Sequence, residues 1–279
     1  MVKRLVGIVA KTESADVLDV ARRAAEYLRR HGLTPIFEST LARKIRVKPG
    51  IPLSKLRSDV IVTLGGDGTV LRTVKEIPDL HTPIIAVNLG RHGYLTEVDE
   101  PHLEDSFDKW FEGAYYLEKQ WLLSVFYQNE IIGKCLNEAM LIPKPVERML
   151  NLDVSQNGSR IILARSDGFI IATPTGSTAH AFSAGGPVVD TSLDALSLAL
   201  VAPLQPVKSI VVPATRKLRV TIAKPGPAAV LVNDGRVERH LGIGESVDFK
   251  KSNENAHFVR FGEQFLVRSL HRLASEREN

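Results

Sequence analysis

Short apolar runs and segments of helical period alternate over roughly the first hundred residues. The runs lie at 5–10, 35–38, 60–64 and 83–88. Residues 15–30 carry apolar side chains near helical spacing, at Val17, Ala21, Ala24, Ala25 and Leu28. Gly32 follows as a C-cap, and a second helix beginning at Thr69 fits between the last two runs. Repetition of strand, helix and strand predicts a parallel sheet covered by helices.

Beyond about residue 100 the pattern changes to short strands separated by turn residues. These strands are expected at 121–127, 131–142, 149–155, 160–164, 168–173, 209–212, 218–223, 229–232 and 246–250. The tetrapeptide Gln-Asn-Gly-Ser at 156–159 predicts a hairpin. We therefore expect an α/β domain over residues 1–100 and a β-rich domain over 101–261. A last helix, at 265–273 within the segment 262–279, is expected to pack back on the first domain.

Composition and charge limit the class of protein. The 279 residues are 44% hydrophobic and 24% charged, which is typical of a globular protein and excludes wholesale disorder. Lysine and arginine number 36 against 32 acidic residues, and they are spread along the chain. This modest excess favours a polyanionic nucleotide over nucleic acid as the partner, although a solvated basic surface explains it equally well.

The single cysteine and the absence of long apolar runs indicate where the protein acts. Cys135 has no second cysteine with which to form an internal disulfide, and we expect it to be a small buried side chain. No run reaches the roughly 18 apolar residues of a membrane helix. We therefore expect a cytoplasmic protein that has no membrane partner.

The most informative motif is Gly-Gly-Asp-Gly-Thr at 65–69, directly after an apolar strand and before a helix. Glycines let the backbone approach a ligand closely, and the helix offers unpaired N–H groups to a phosphate. Asp67 is repelled by phosphates unless it binds a cation or accepts a proton, so it indicates chemistry on the ligand. The structural alternative is a tight turn in which Asp67 caps the helix.

Two further segments concentrate polar groups. Asp167-Gly168 precedes a strand and a block rich in hydroxyls and glycines at 173–187. Hydroxyls and backbone amides there can bind ribose and phosphate oxygens, or else cap a helix near Ala179. Asn137 and Glu138 lie in an otherwise apolar strand, where their burial is costly without a partner such as a sugar hydroxyl. An exposed strand face is the alternative for this pair.

Together these blocks resemble the NAD kinase family. The family order is the glycine-aspartate turn, an Asn-x-Gly-x-x-Gly segment (here 88–93), an Asn-Glu pair, Asp-Gly, and a Thr-Pro-Thr-Gly-Ser-Thr-Ala block followed by Ser-Ala-Gly-Gly-Pro. All are present in this order, and the resemblance runs from about Leu5 to Leu273. The block at 173–187 separates this family from the lipid kinases and phosphofructokinases that share only the first turn.

The resemblance implies a Rossmann-like α/β amino-terminal domain, a β-sandwich-like carboxy-terminal domain and a site in the cleft between them. It implies that Asp67 accepts the proton of the 2′-hydroxyl of the adenosine ribose of NAD. The substrate-binding residues that it implies are Gly68, Arg72, Asn137, Glu138, Arg148, Arg165, Asp167, Thr175, Thr178, Ala179, His180, Ser183 and Arg236. It also implies a dimer or a tetramer that uses ATP and NAD.

Some questions stay open at this stage. The segment Arg165-Ser166-Asp167-Gly168 resembles the version of this segment found in family members that use ATP. Polyphosphate is the alternative phosphoryl donor. The family usually has tyrosine at the position of His180, which leaves the choice between NAD and NADH open. The histidines show no metal-ligand spacing, so we expect only Mg²⁺ carried by substrate phosphates. The competing functions are a lipid or sugar kinase and a non-catalytic dinucleotide sensor.

Overall fold

The computed structural model describes residues 4–90, 93–262 and 265–275, apart from the side chains of Phe265 and Ser275. Its strands are β1 (Leu5–Ala10), β2 (Thr34–Glu38), β3 (Gly50–Ile51), β4 (Val60–Gly65), β5 (Ile84–Asn88), β6 (Val98–Asp99), β7 (Tyr116–Tyr127), β8 (Glu130–Cys135), β9 (Glu138–Lys144), β10 (Leu150–Gln156), β11 (Ser159–Ser166), β12 (Gly168–Ala172), β13 (Ala195–Val201), β14 (Ile210–Pro213), β15 (Leu218–Ile222), β16 (Ala228–Asn233), β17 (Arg236–Leu241) and β18 (Ser246–Arg260). The helices are α1 (Ala15–Arg30), α2 (Ser39–Ile45), α3 (Asp67–Glu76), α4 (Leu103–Phe111), α5 (His180–Ser183) and α6 (Phe265–Ser275), with 3₁₀ turns at Leu53–Lys55, Glu100–His102 and Thr175–Thr178.

Contacts divide the chain into two compact units, Met1–Gln120 with Asn255–Asn279, and Trp121–Glu254. The predicted boundary near residue 100 falls before α4, whose Phe107 and Trp110 are buried in the core of the first unit. Apolar side chains on one face of a helix need such a partner, so α4 groups with the α/β sheet that precedes it. No helix in the described ranges is long and apolar enough to cross a membrane.

The first unit is built on parallel strands. β4 lies between β1 and β5, β2 pairs with the other edge of β1, and β3 pairs with β2. Strand β1 and helix α1 have the predicted bounds. Gly32 adopts a positive φ of 77° directly after α1, and its N–H donates to the carbonyl of Arg29, as expected of a C-cap.

The second unit is built from antiparallel strands. One sheet has the order β14-β13-β12-β9-β16-β17, and β11, β10, β15 and the start of β18 pair in that order. Alternate residues of β10 are buried, as a strand with one face on the core requires. The predicted hairpin at 156–159 is confirmed, because Gln156 pairs with Ser159 and both Asn157 and Gly158 have positive φ. The expected combination of an α/β part and an all-β part is thus confirmed.

Two strand predictions for the second half are corrected by the structure, and two strands in it were not predicted. The single strand expected at 131–142 is two strands, β8 and β9, separated at Leu136 and Asn137. The strand expected at 246–250 extends to Arg260. Strands β13 and β17 were not predicted. Strand β13 pairs with β12, which is distant in sequence, and β17 pairs with β16 across a turn whose type the local pattern leaves open. Cys135 is fully buried, as expected.

Candidate functional site

The glycine-aspartate motif forms the junction between β4 and α3. Helix α3 begins at Asp67, two residues before the expected start at Thr69, and Gly66 occupies the N-cap position. Gly65 has no room for a side chain, because a Cβ there would lie 2.4 Å from Oγ1 of Thr69. The motif therefore places Asp67 in the first turn of a helix, where N–H groups have no carbonyl one α-helical turn before them; the N–H of Thr69 donates to the carbonyl of Gly66 at 2.9 Å.

The carboxylate of Asp67 is held by the loop that follows β5. The N–H of Tyr94 donates to Oδ2 at 2.8 Å, and the N–H of Leu95 donates to Oδ1 at 3.0 Å. Gly93 has to be small, since a Cβ there would lie 2.4 Å from Oδ1. The carboxylate thus binds a distant loop instead of capping its own helix. Each oxygen has a second lone pair beyond these bonds, which is available for a proton.

A pocket of about 410 Å³ adjoins this turn within the first unit. It is lined by Ala10, Lys11, Thr12, Glu13, Thr40, Gly66, Gly68, Thr69 and Arg72. Arg72 also donates to the carbonyl of Ala10 at 3.3 Å, which holds its guanidinium at the pocket. Lys11 was not predicted, but its position directly after β1, beside β4 in a parallel sheet, is a usable sequence signal.

A second polar cluster lies in the second unit, where β8 ends and β9 begins. The carboxylate of Asp234 accepts the N–H groups of Leu136, Asn137 and Glu138 at 2.7, 2.9 and 3.0 Å. These bonds replace strand pairing and explain why the predicted continuous strand is interrupted. Asp234 has a φ of 44° in the turn between β16 and β17, a conformation that aspartate tolerates better than most residues. The Asn-Asp-Gly sequence indicated a turn, but nothing local indicated this carboxylate's partners.

Asn137 and Glu138 are both buried, which excludes the exposed strand face as their explanation. Oε1 of Glu138 lies 2.7 Å from Nδ1 of His180, and burial raises the pKa of Glu138 while this bond to His180 opposes the rise. Oδ1 of Asn137 and Oε2 of Glu138 are buried without a hydrogen-bond partner in the described protein. Since unpaired buried acceptors are costly, this pair is suited to a ligand that carries hydroxyl donors.

The hydroxyl-rich block packs against the same strand junction. The N–H of Thr173 donates to the carbonyl of Asn137 at 2.8 Å, and its Oγ1 donates to the carbonyl of Leu136 at 2.6 Å. A Cβ at Gly176 would lie 2.2 Å from the backbone carbonyl oxygen of Asn137, so only glycine allows the two segments to approach so closely. Oγ of Ser177 is likewise used internally, donating to Pro174 at 2.6 Å. Much of this block therefore shapes the cluster instead of offering free hydroxyls.

The other predicted site residues are dispersed within the second unit. Thr175 and Thr178 are buried in the 3₁₀ turn, Ala179 is half-buried after it, and Ser183 is exposed at the end of α5. Four polar or charged residues are exposed on loops and strand ends, namely Arg148, Arg165, Asp167 and Arg236. Among described residues, the side chains of Arg148, Arg165 and Asp167 make no hydrogen bond to Asn137 or Glu138. The backbone N–H of Arg165 donates to Oε1 of Gln205 at 2.9 Å.

The raised pKa of Glu138 predicts a pH-dependent effect of Glu138→Gln on stability. The folded-state pKa lies above the unfolded one, so the folded protein binds more protons between the two values and loses stability as pH rises through that range. Glutamine does not titrate. The unfolding free energy of E138Q relative to that of wild type is therefore expected to increase from pH 4 to pH 7, by about 1.4 kcal/mol for each unit of pKa shift, and its relative melting temperature is expected to rise with it.

Thermal unfolding at several pH values measures this difference. Glu130→Gln is the matched control for the substitution itself, since Glu130 is an exposed glutamate in the same unit. An E138Q difference that is flat or that decreases with pH would contradict the assignment of Glu138 as a buried carboxyl with an unfavourable ionised form.

Comparison with known proteins places this arrangement in a family. Residues 6–115 match the ATP-NAD kinase N-terminal domain, and residues 136–261 match the ATP-NAD kinase C-terminal domain. A NAD kinase of Methanothermobacter thermautotrophicus is 35% identical over 93% of this chain and 93% of its own length. A NAD kinase of Methanosphaera stadtmanae is 32% identical over 93% of this chain and 95% of its own.

Two solved structures have the same fold. The crystal structure of an NAD kinase from Archaeoglobus fulgidus in complex with ATP has a TM-score of 0.77 and 28% identity, covering 96% of this chain and 99% of that one. Yeast NADH kinase complexed with NADH has a TM-score of 0.87 at 22% identity, covering 98% and 88%, and supports the fold alone. The two domain matches cover most of the sequence, and this chain belongs to the ATP-NAD kinase family.

Proposed function

We propose that this chain transfers the terminal phosphoryl group of ATP to the 2′-hydroxyl of the adenosine ribose of NAD, giving NADP. Membership in the ATP-NAD kinase family supports this activity. The structural observation that carries the chemistry is the carboxylate of Asp67, which two backbone N–H groups orient beside the glycine turn. A general base has to be held at a fixed place and angle before the substrate arrives.

In the proposed reaction Asp67 takes the proton of the 2′-hydroxyl. The ribose oxygen forms a bond to the terminal phosphorus, the bond from that phosphorus to its bridging oxygen breaks, and ADP leaves. Lys11 and Arg72 would neutralise phosphate oxygens, aided by the N–H groups of Gly66 and Gly68 at the start of α3. A carboxylate acting as general base contributes about 10² to 10⁴-fold to such a rate.

Asn137 and Glu138 are proposed to hold ribose hydroxyls. Their unpaired buried oxygens support this role, because a hydroxyl donor would satisfy each of them. His180 orients Glu138 through the bond between Nδ1 and Oε1. The remaining predicted positions, such as Arg165 and Asp167, are proposed contacts with the outer parts of the substrate.

Mg²⁺ is proposed to arrive with the nucleotide. Triphosphate oxygens are ligands that Mg²⁺ prefers, and the ion would neutralise the charge of those oxygens beside Lys11 and Arg72. We also propose a homodimer or homotetramer, and light scattering after gel filtration would measure its mass.

A cytoplasmic location is proposed because the lone Cys135 allows no internal disulfide.

The test is direct: the purified chain is incubated with Mg²⁺, ATP and NAD, and NADP is measured with an NADP-specific dehydrogenase. We expect NADP to form with ATP as donor. Parallel reactions with polyphosphate, and with NADH as acceptor, define the donor and the acceptor preference. Binding of NAD without NADP formation from either donor would instead identify a dinucleotide sensor. Failure to bind NAD would favour a lipid or sugar kinase.

A further inference from the structure

The backbone of Leu95 connects Asp67 to the carboxy-terminal segment of the first unit. Its N–H donates to Oδ1 of Asp67 at 3.0 Å, and its carbonyl accepts from Nη1 of Arg260 at 3.0 Å. The next carbonyl, that of Thr96, accepts from Nη2 of Arg272 on α6 at 2.7 Å. The loop that binds the proposed base is therefore itself bound by two arginines from the end of the chain.

The first of these arginines, Arg260, belongs to a charge network that is largely withdrawn from water. Arg260 is 1% exposed, and its Nε donates to Oε2 of Glu118 at 2.7 Å. Oε1 of Glu97 accepts the N–H groups of Phe261 and Gly262 at 2.8 and 2.9 Å. Buried ion pairs add little net stability in general, so a network of this kind is better explained by the geometry that it imposes.

Arg272 interacts electrostatically with the proposed base. Burial lowers the pKa of its guanidinium, and the negative charges of Asp67 and Asp99 oppose that change. Its side chain is also less deeply buried than that of Arg260, so replacing it is less disruptive to the core. A loop with one carbonyl released at Thr96 can shift, and a shift of about 1 Å in a reacting group can cost about 10²-fold in rate.

We propose that Arg272 is a positioning residue for phosphoryl transfer, acting from α6 through the Thr96 and Leu95 peptides to orient the carboxylate of Asp67. This inference rests on the proposed function, since it assigns a role to Asp67 in turnover. It makes α6 a support for the reacting group in addition to a packing element.

The test compares Arg272→Met, Arg272→Lys and Arg30→Met. Arg30 is an exposed arginine of the same unit that pairs with Glu26, so R30M controls for loss of one cation and is expected to match wild type. We expect R272M to lower kcat at least about tenfold with the KM values for NAD and ATP within about twofold of wild type. R272K retains a donor for the Thr96 carbonyl and is expected to recover part of kcat.

Hydrogen exchange of the amides of Tyr94 and Leu95 provides a second readout that does not depend on turnover. R272M is expected to speed their exchange, and Asp67→Ala is expected to speed it as well because their acceptor is lost. The double variant R272M/D67A is then expected to exchange these two amides at nearly the rate of D67A alone, since both substitutions act on the same hydrogen bonds.

Two results would overturn the inference: an R272M enzyme with wild-type kcat and wild-type exchange at these amides, or a loss that appears in KM alone. Wild-type protein that forms no NADP would count against the proposed function instead. In that case the exchange measurement still decides whether Arg272 supports the loop.

Discussion

Asp67→Asn is expected to lower kcat for NADP formation by about 10² to 10⁴-fold while the KM values for NAD and ATP change by no more than a few-fold. The amide cannot accept the proton of the ribose hydroxyl at neutral pH, whereas the size and position of the side chain are nearly retained. Steady-state kinetics with ATP and NAD measure both constants. The effect is confined to kcat because Asp67 is proposed to act on the proton and not to anchor either nucleotide.

The structure also sets the stability cost of this change. Tyr94 donates to one oxygen of Asp67 and Leu95 to the other, so one N–H group faces an amide nitrogen in the variant. The expected cost is about 1 to 3 kcal/mol of unfolding free energy, measured by denaturant unfolding.

Asp59→Asn is the matched control for D67N. Asp59 accepts the N–H of Leu5 at 2.6 Å in the same unit and lies outside the glycine turn, so D59N makes the same chemical change away from the proposed base, and wild-type turnover is expected. If D67N retained activity within a few-fold of wild type, Asp67 would not be the proton acceptor.

The second large effect is expected from Asp234→Ala. This change removes the acceptor of three N–H groups, those of Leu136, Asn137 and Glu138, at the junction between β8 and β9. Each buried donor left unpaired costs about 1 to 3 kcal/mol, so the unfolding free energy is expected to fall by at least about 3 kcal/mol. NAD binding is expected to weaken as well, since the backbone that presents Asn137 and Glu138 is no longer fixed.

Denaturant unfolding and titration calorimetry with NAD measure the two consequences of D234A. Asp234→Asn keeps one acceptor oxygen and is expected to fall between the wild type and D234A. Asp153→Ala is the control, because Asp153 pairs with exposed Arg160 in the same unit and such pairs contribute about 1 kcal/mol or less. A D234A protein with the stability of D153A and wild-type NAD affinity would show that the three bonds do not organise the cluster.

Local sequence patterns were sufficient for the regular parts of the fold. Helix α1 was predicted residue for residue, because its apolar side chains repeat at the period of a helix and Gly32 ends it. The hairpin at Gln156–Ser159 was equally clear, since Asn-Gly adopts the positive φ angles that a two-residue turn demands. Strand β1 also kept its predicted bounds.

Elements defined by distant partners were not predictable in this way. The chain from 131 to 142 reads as one apolar strand, yet Asp234, nearly a hundred residues away, binds the backbone at Asn137 and divides it. Strand β18 continues to Arg260 although its middle is polar, and Phe258 there pairs with Ile84. Helix α4 depends likewise on burial of Phe107 in a core made by other segments.

The sequence by itself determined which chemical groups are present: the glycine turn with Asp67, the Asn137-Glu138 pair and the block at 173–187, in an order typical of the family. Glycine and turn residues carry this information because their backbone conformations are local. Only the tertiary structure decided what holds these groups. The loop at Tyr94 and Leu95 binds Asp67, and Asp234 binds the strand junction, because hydrogen bonds between residues far apart in sequence depend on the folded path of the chain.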